Sequence, residues 1–180
     1  MEIIKTEIEG LLIIKPKVFE DERGYFYESY NEQAYQQNGI AMNFVQDNQS
    51  KSKRGVLRGL HFQNPPFAQG KLIRVLSGCV FDVAVDIRKD SETYGQWHSV
   101  ILSEDNKLQY WIPPGFAHGF LTLENDTILS YKCTELYNKE AEGSIRWNDP
   151  DLKISWSYYD PILSDKDKDA TLFKDFVSLF

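Results

Sequence analysis

The sequence predicts an all-β chain, an antiparallel sandwich or barrel carrying a few short helices. Three observations carry that prediction. Short runs rich in β-branched and aromatic residues recur at regular spacing from Phe44 onward, each closed by Gly, Pro, Asn or Asp. The stretch Cys79–Ile87 alternates strictly, placing Cys79, Phe81, Val83, Val85 and Ile87 on one face and Val80, Asp82, Ala84 and Asp86 on the other. The first half holds one convincing helical segment.

Taken in order, Leu11 to Ile14 is an apolar run stopped at Pro16 and reads as a strand. Asp21–Gly24 reads as a turn into an aromatic strand, Tyr25–Tyr30, with Phe26, Glu28 and Tyr30 on one face. Asn31 is placed to cap a helix over NEQAYQQNG, with Gly39 as its stop. Gly55–Leu72 reads as strand, turn and strand, and Gly78 as the hairpin before Cys79–Ile87. Further strands are expected at Trp97–Leu102, Gln109–Ile112, Phe120–Leu123 and Thr127–Glu135. Turns fall at Glu104–Asn106, Pro113–Gly115 and Glu124–Asp126. The Pro- and Asp-rich stretch WNDPDLKISWSYYDPILSDKDKDATLF is expected to wrap the barrel before a short terminal helix. No repeat or linker interrupts residues 1–180, which suits a single domain.

Composition narrows the function classes. At 42% hydrophobic and 14% aromatic the chain is a globule. A net charge of −7 and a pI near 5.0 disfavour nucleic acid as a partner. The N-terminal apolar runs are broken by Glu or Lys, so no signal peptide or membrane span is expected. Two cysteines without metal spacing suit a reduced, cytoplasmic setting.

Charge is not evenly spread. Nothing acidic lies between Asn48 and Phe81, a window holding Lys51, Lys53, Arg54, Arg58, Lys71 and Arg74. Within an acidic chain this suggests a pocket for a small anion. Lys51, Lys53 and Arg54 read as ordinary surface residues. Arg58, flanked by Val56, Leu57 and Leu60, is expected to be buried and therefore paired. Asp82 and Asp86 likewise either meet solvent, the usual case, or line a polar cavity of the kind a jelly roll holds between its sheets.

Of the 3 histidines, His98 reads as a surface residue. His118, in IPPGFAHGF, sits in a rigid turn entering a strand and could be either a packing residue or a ligand contact. His61 stands in the basic window. A metal site is not expected, because metal-binding jelly rolls usually present an early His-x-His with a Glu, and His61 has no such neighbour. Proton transfer suits it better: a neutral imidazole removes a proton beside a carbonyl, while Lys71 or Arg58 holds the enolate. Inversion also needs a donor on the opposite face, but spacing alone does not single out Tyr131 among 10 tyrosines. In a regular strand Arg58 and His61 point to opposite faces; a bulge at Gly59 is therefore expected.

The blocks VFEDERGYFYESYN, FVQDNQSKS, GVLRGLHFQ, AQGKLIRV, VFDVAVDIR, WIPPGFAHGF, EGSIRWNDP and PILSDKD occur in this order. Together they resemble the dTDP-4-dehydrorhamnose 3,5-epimerases, which are cupin-type antiparallel β-sandwiches (jelly rolls) without metal or cofactor. The resemblance implies catalysis by His61 as base, with Asp167 orienting it, and by Tyr131 as proton donor. Lys71 and Arg58 would hold the sugar carbonyl. Asp82 is a second candidate partner for His61. Arg23, Phe26, Glu28, Gln46, Asp47 and Asn48 match nucleotide-binding positions, and His118, Glu142 and Lys166 match further substrate contacts. The resemblance also implies a dTDP-sugar substrate and a homodimer whose subunits share the nucleotide site. The rival readings are an epimerase or ketoisomerase for a related deoxysugar nucleotide, a non-catalytic sugar-nucleotide-binding jelly roll, and a metal-dependent cupin.

Overall fold

The structure, a computed structural model, describes residues 1–180. Two antiparallel sheets face one another as a cupin-type jelly roll. The first sheet takes the order β1 (Glu2–Lys5), β2 (Leu12–Lys15), β10 (Gln109–Ile112), β7 (Lys71–Ser77), β12 (Thr127–Cys133), β5 (Gln46–Ser52). The second takes the order β13 (Glu142–Ser144), β6 (Leu57–Gln63), β11 (Phe116–Thr122), β8 (Cys79–Asp86), β9 (Trp97–Ser103). A separate two-stranded ribbon pairs β3 (Phe19–Asp21) with β4 (Gly24–Phe26).

From β5 onward every connection changes sheet except β8 to β9. The expected hairpin at Gly78 is therefore a crossing between sheets. Gly78 has φ +79°, and a Cβ there would collide with the Thr127 hydroxyl, so the crossing is as tight as glycine permits.

Alternation of side chains then builds a core on each side of the second sheet. Val80, Ala84, Leu102, Phe116 and Phe120 meet Ile73, Val75, Leu129, Tyr110 and Ile112 between the sheets. The opposite face, with Val83, Val85 and Ile87, packs under Ile145, Leu152 and Trp156 of the C-terminal segment. That segment wraps as expected, which is why the strands of the second sheet are apolar on both faces. Each such side chain, fully buried, contributes roughly 1.5–3 kcal/mol. Outside the first sheet, Tyr35 of α1 (Glu32–Gln37) covers Ile14, Leu72 and Trp111. Asn31 caps this helix through Ala34 N–H, as its side chain predicts.

Some boundaries differ from expectation. The aromatic strand stops at Phe26 rather than Tyr30, because its only partner is the three-residue β3. β11 begins at Phe116, so His118 lies within a strand, paired with both β6 and β8. β3 and β13 are short strands without an apolar pattern to announce them, and β1 offers only the pair Ile3–Ile4, too short to show an alternation. No helix is long and apolar enough to cross a membrane.

Candidate active site

A cavity of about 450 Å³ opens between the sheets, its walls including His61, Arg58, Lys71, His118, Tyr131 and Asp167. The second sheet supplies Arg58 and His61 from β6 and His118 from β11. The first supplies Lys71 from β7 and Tyr131 from β12. The sheet-switching connections thus bring chain neighbours onto facing walls.

The bulge expected at Gly59 is present. Two steps of β11, from Phe120 to His118, oppose three of β6, from Arg58 to His61. Gly59 has φ +132°, and a Cβ there would strike Gly119 Cα and lie 2.9 Å from His118 O. The extra residue turns both Arg58 and His61 into the cavity.

His61 Nε2 lies 2.5 Å from Asp167 Oδ1. The carboxylate is carried by α2 (Asp165–Lys168), whose N-cap is Ser164. Burial is the largest influence on the Asp167 carboxyl and pushes it up. Hydrogen bonds from His61 and Ser164 and the charge of His61 outweigh it, leaving the carboxyl below its usual range. An ionised Asp167 requires a proton on Nε2, which leaves Nδ1 of His61 to accept.

Asp82, the other candidate partner of His61, pairs with His118 instead: Nε2 lies 2.9 and 3.0 Å from its two oxygens. Burial raises the Asp82 carboxyl and lowers the His118 imidazole. Neither Asp82 nor Asp86 meets solvent. Asp86 accepts from Arg88, Ser91 and Thr93, and so orders the loop after β8.

Lys71 is buried and donates to His61 O at 3.3 Å. Burial lowers its amine below the usual lysine value. Burial also raises the Tyr131 phenol, which stays protonated at neutral pH. Arg58 departs from expectation: it is exposed rather than buried, and its one side-chain hydrogen bond runs from Nε to Ser52 Oγ at 3.3 Å. The bulge that turns it into the cavity spares it a buried partner. Its remaining donors are free for a ligand. His98 also departs, being largely covered, with Nδ1 3.0 Å from the Tyr110 hydroxyl, because its side chain lies over the inner sheet face. Lys51 pairs with Asp126 on the surface, as anticipated. No group of three or more His, Cys, Asp or Glu comes together to hold a metal.

A second cavity of about 310 Å³ shares His61, Lys71 and Tyr131 with the first and adds Gln46, Asn48, Tyr137 and Glu142. Lys166 pairs with Glu142, which also accepts from the Tyr137 hydroxyl at 3.1 Å. Tyr137 has no motif around it that would have marked it in the sequence. Asp47 does not join this group. It alternates to the other face of β5 and binds Lys132 at 2.8 Å. Arg23, Phe26 and Glu28 also lie apart: Arg23 pairs with Asp21, Glu28 accepts from Asn31, and Phe26 is 67% exposed on the ribbon.

A jelly roll with an imidazole on one wall, a phenol on the facing wall and two cations beside them defines a carbohydrate epimerase, an isomerase. The comparisons with known proteins agree. The sequence model of the dTDP-4-dehydrorhamnose 3,5-epimerase family matches residues 5–175. A dTDP-4-dehydrorhamnose 3,5-epimerase of Salmonella typhimurium is 56% identical over 174 residues, 96% of this chain and 95% of its own. The one from Methanothermobacter thermautotrophicus is 55% identical over 168 residues, 92% of this chain and 90% of its own. A dTDP-6-deoxy-D-glucose-3,5-epimerase from Legionella pneumophila, solved with dTDP-4-keto-L-rhamnose, superposes with a TM-score of 0.94 at 52% identity, covering 98% of this chain and 94% of that one. This chain belongs to the dTDP-4-dehydrorhamnose 3,5-epimerase family.

Proposed function

We infer that the chain inverts carbons 3 and 5 of dTDP-4-dehydro-6-deoxy-D-glucose, giving dTDP-4-dehydro-L-rhamnose for dTDP-L-rhamnose biosynthesis. The observation that carries this reading is the placement of His61 and Tyr131 on facing sheets of one cavity. Inversion requires a proton to leave one face of a carbon and return to the other.

His61 Nδ1 takes the proton from the carbon beside the 4-keto group. The C–H electron pair becomes the enolate double bond, and charge gathers on the carbonyl oxygen, where Lys71 and Arg58 supply fixed positive charge. The Tyr131 phenol then delivers its proton to the opposite face of that carbon. Solvent reprotonates the phenolate and discharges the imidazolium. The cycle repeats at the second carbon. Asp167 holds the tautomer of His61, and His118 contacts the sugar from the wall beside it.

The nucleotide is assigned to the second cavity, with Gln46, Asn48 and Glu142 at its walls and Lys166 paired to Glu142. Arg23, Phe26 and Glu28 suit a nucleotide by type, the arginine for pyrophosphate and the aromatic ring for the base, yet stand on the ribbon and the segment just after it, outside either cavity of their own chain. A homodimer in which each ribbon reaches the partner's cavity accounts for both facts. Asp47 has no such place and is assigned instead to anchoring Lys132.

Proton NMR of dTDP-4-keto-6-deoxyglucose with the protein in deuterated water tests the reading. Loss of signal at carbons 3 and 5 supports it. Exchange at one carbon alone points to a single-position relative, and binding without exchange to a sugar-nucleotide-binding protein.

A further inference from the structure

Ser164 precedes the sequence Asp165-Lys166-Asp167, and its side chain accepts a hydrogen bond from Asp167 N–H at 3.2 Å. That bond is ordinary N-capping. The same hydroxyl makes a second contact that capping does not require, donating to Asp167 Oδ2 at 2.7 Å. Asp167 Oδ1 is meanwhile engaged by His61. The carboxylate, with a side chain only 3% exposed, is therefore gripped at both oxygens.

We propose that Ser164 is a positioning residue for the reaction, fixing the rotamer of Asp167 so that His61 presents Nδ1 as the base. The proposal rests on the assignment of His61 as base. A one-residue hydroxyl holds both the backbone and the side chain of Asp167, so the carboxylate cannot turn away from His61 without breaking a bond at each end. Donation to Oδ2 also opposes the effect of burial, which pushes this carboxyl up. Asp165, Lys166 and Lys168 on the same helix are exposed. His61 and Arg58 from β6, Lys71 from β7, His118 from β11, Tyr131 from β12 and Glu142 from β13 complete the charged and titratable surroundings. None of these side chains hydrogen-bonds the Ser164 hydroxyl.

The sign follows from the two protonation states. Ser164 donates to the carboxylate and has less to offer the neutral acid, so its loss favours the protonated form. In Ser164→Ala the Asp167 carboxyl, followed by carbon NMR in the substrate-free protein, titrates at higher pH than in the unmodified chain. The acid limb of the deuterium-exchange rate moves up with it, and exchange near neutral pH falls about tenfold, equivalent to about 1.4 kcal/mol. Ser164→Gly retains an acceptable cap without the hydroxyl and is expected to behave like the alanine variant. Ser164→Thr restores both readouts. If both hydroxyl-free variants leave the Asp167 titration where it was, Ser164 only caps the helix and the proposal is overturned, whatever happens to melting temperature. Because this titration needs no substrate, it stands apart from the exchange assay: absence of exchange in the unmodified protein counts against the epimerase reading, while an unmoved carboxyl counts against Ser164.

Discussion

Gly59 and Gly119 touch backbone to backbone across β6 and β11, with no room for a side chain between them. On that contact depends the bulge that aims Arg58 and His61 into one cavity. Gly59→Ala must both enter a left-handed conformation and displace Gly119. It is expected to cost on the order of 1–3 kcal/mol of stability and to lower the exchange rate at least a hundredfold. Thermal unfolding and deuterium exchange report the two effects. A variant with unchanged exchange would show that the bulge does not aim the base.

His61→Asn keeps an amide near Asp167 but supplies no base. It is expected to abolish exchange at both carbons, by at least the 10²–10⁴-fold typical of a general base, with affinity for dTDP changed only a few-fold. Tyr131→Phe is expected to leave proton removal largely intact while impairing net inversion. Equal loss of exchange and inversion in that variant would remove Tyr131 from the donor role.

Lys71 serves the enolate only while protonated, and burial depresses its amine. As pH rises through that lowered value the cation is lost, so the alkaline limb of kcat/KM falls below lysine's ordinary value of about 10.4. Tyr131 shifts in the opposite direction and cannot produce the limb. Lys71→Arg is expected to carry the limb upward, because a guanidinium stays charged throughout. A limb unmoved in that variant would assign it to another group.

A nucleotide site shared between two subunits, as proposed, makes a prediction for mixtures. The chain is expected to run as a dimer at micromolar concentration in sedimentation. His61→Asn and Arg23→Ala are each expected to be weak alone. Mixing and re-forming dimers should restore one working site per mixed dimer, which carries His61 from one chain and Arg23 from the other. Failure of complementation, with mixed dimers verified by mass, would return Arg23 to its own subunit.

Legibility in the sequence followed the range of the forces involved. Alternation over Cys79–Ile87 is local, and both faces were correctly assigned, as were the Asn31 cap and the bulge at Gly59. Partnership across the fold was not local. Nothing near Gly78 says that Ser77 and Cys79 enter different sheets, and nothing near Asp82 says that it meets His118 rather than His61. The Asp167–His61 pair spans more than half the chain and became readable only through resemblance to a family. Arg58 was expected in a buried pair because its neighbours are apolar, but Leu57 and Leu60 pack in the core under the C-terminal segment while Arg58 stays exposed at the cavity. Ser164 was visible as a cap and silent as a donor, since the second bond depends on a rotamer.

The alternation of connections between sheets also governs how the chain comes to fold. From β5 onward only β8 and β9 can zip as a local hairpin, as β1–β2 and β3–β4 do before them; the other partners must be recruited from distant sequence, with loop-closure entropy lost before contacts compensate. Assembly is therefore expected to belong to the slow, millisecond-to-second regime of β-sandwiches, with the β8–β9 pair formed early and the meeting of His61 with Tyr131 among the last events. A chain in which only the β8–β9 pair had formed would hold no reaction centre, because His61 and Tyr131 come from different sheets.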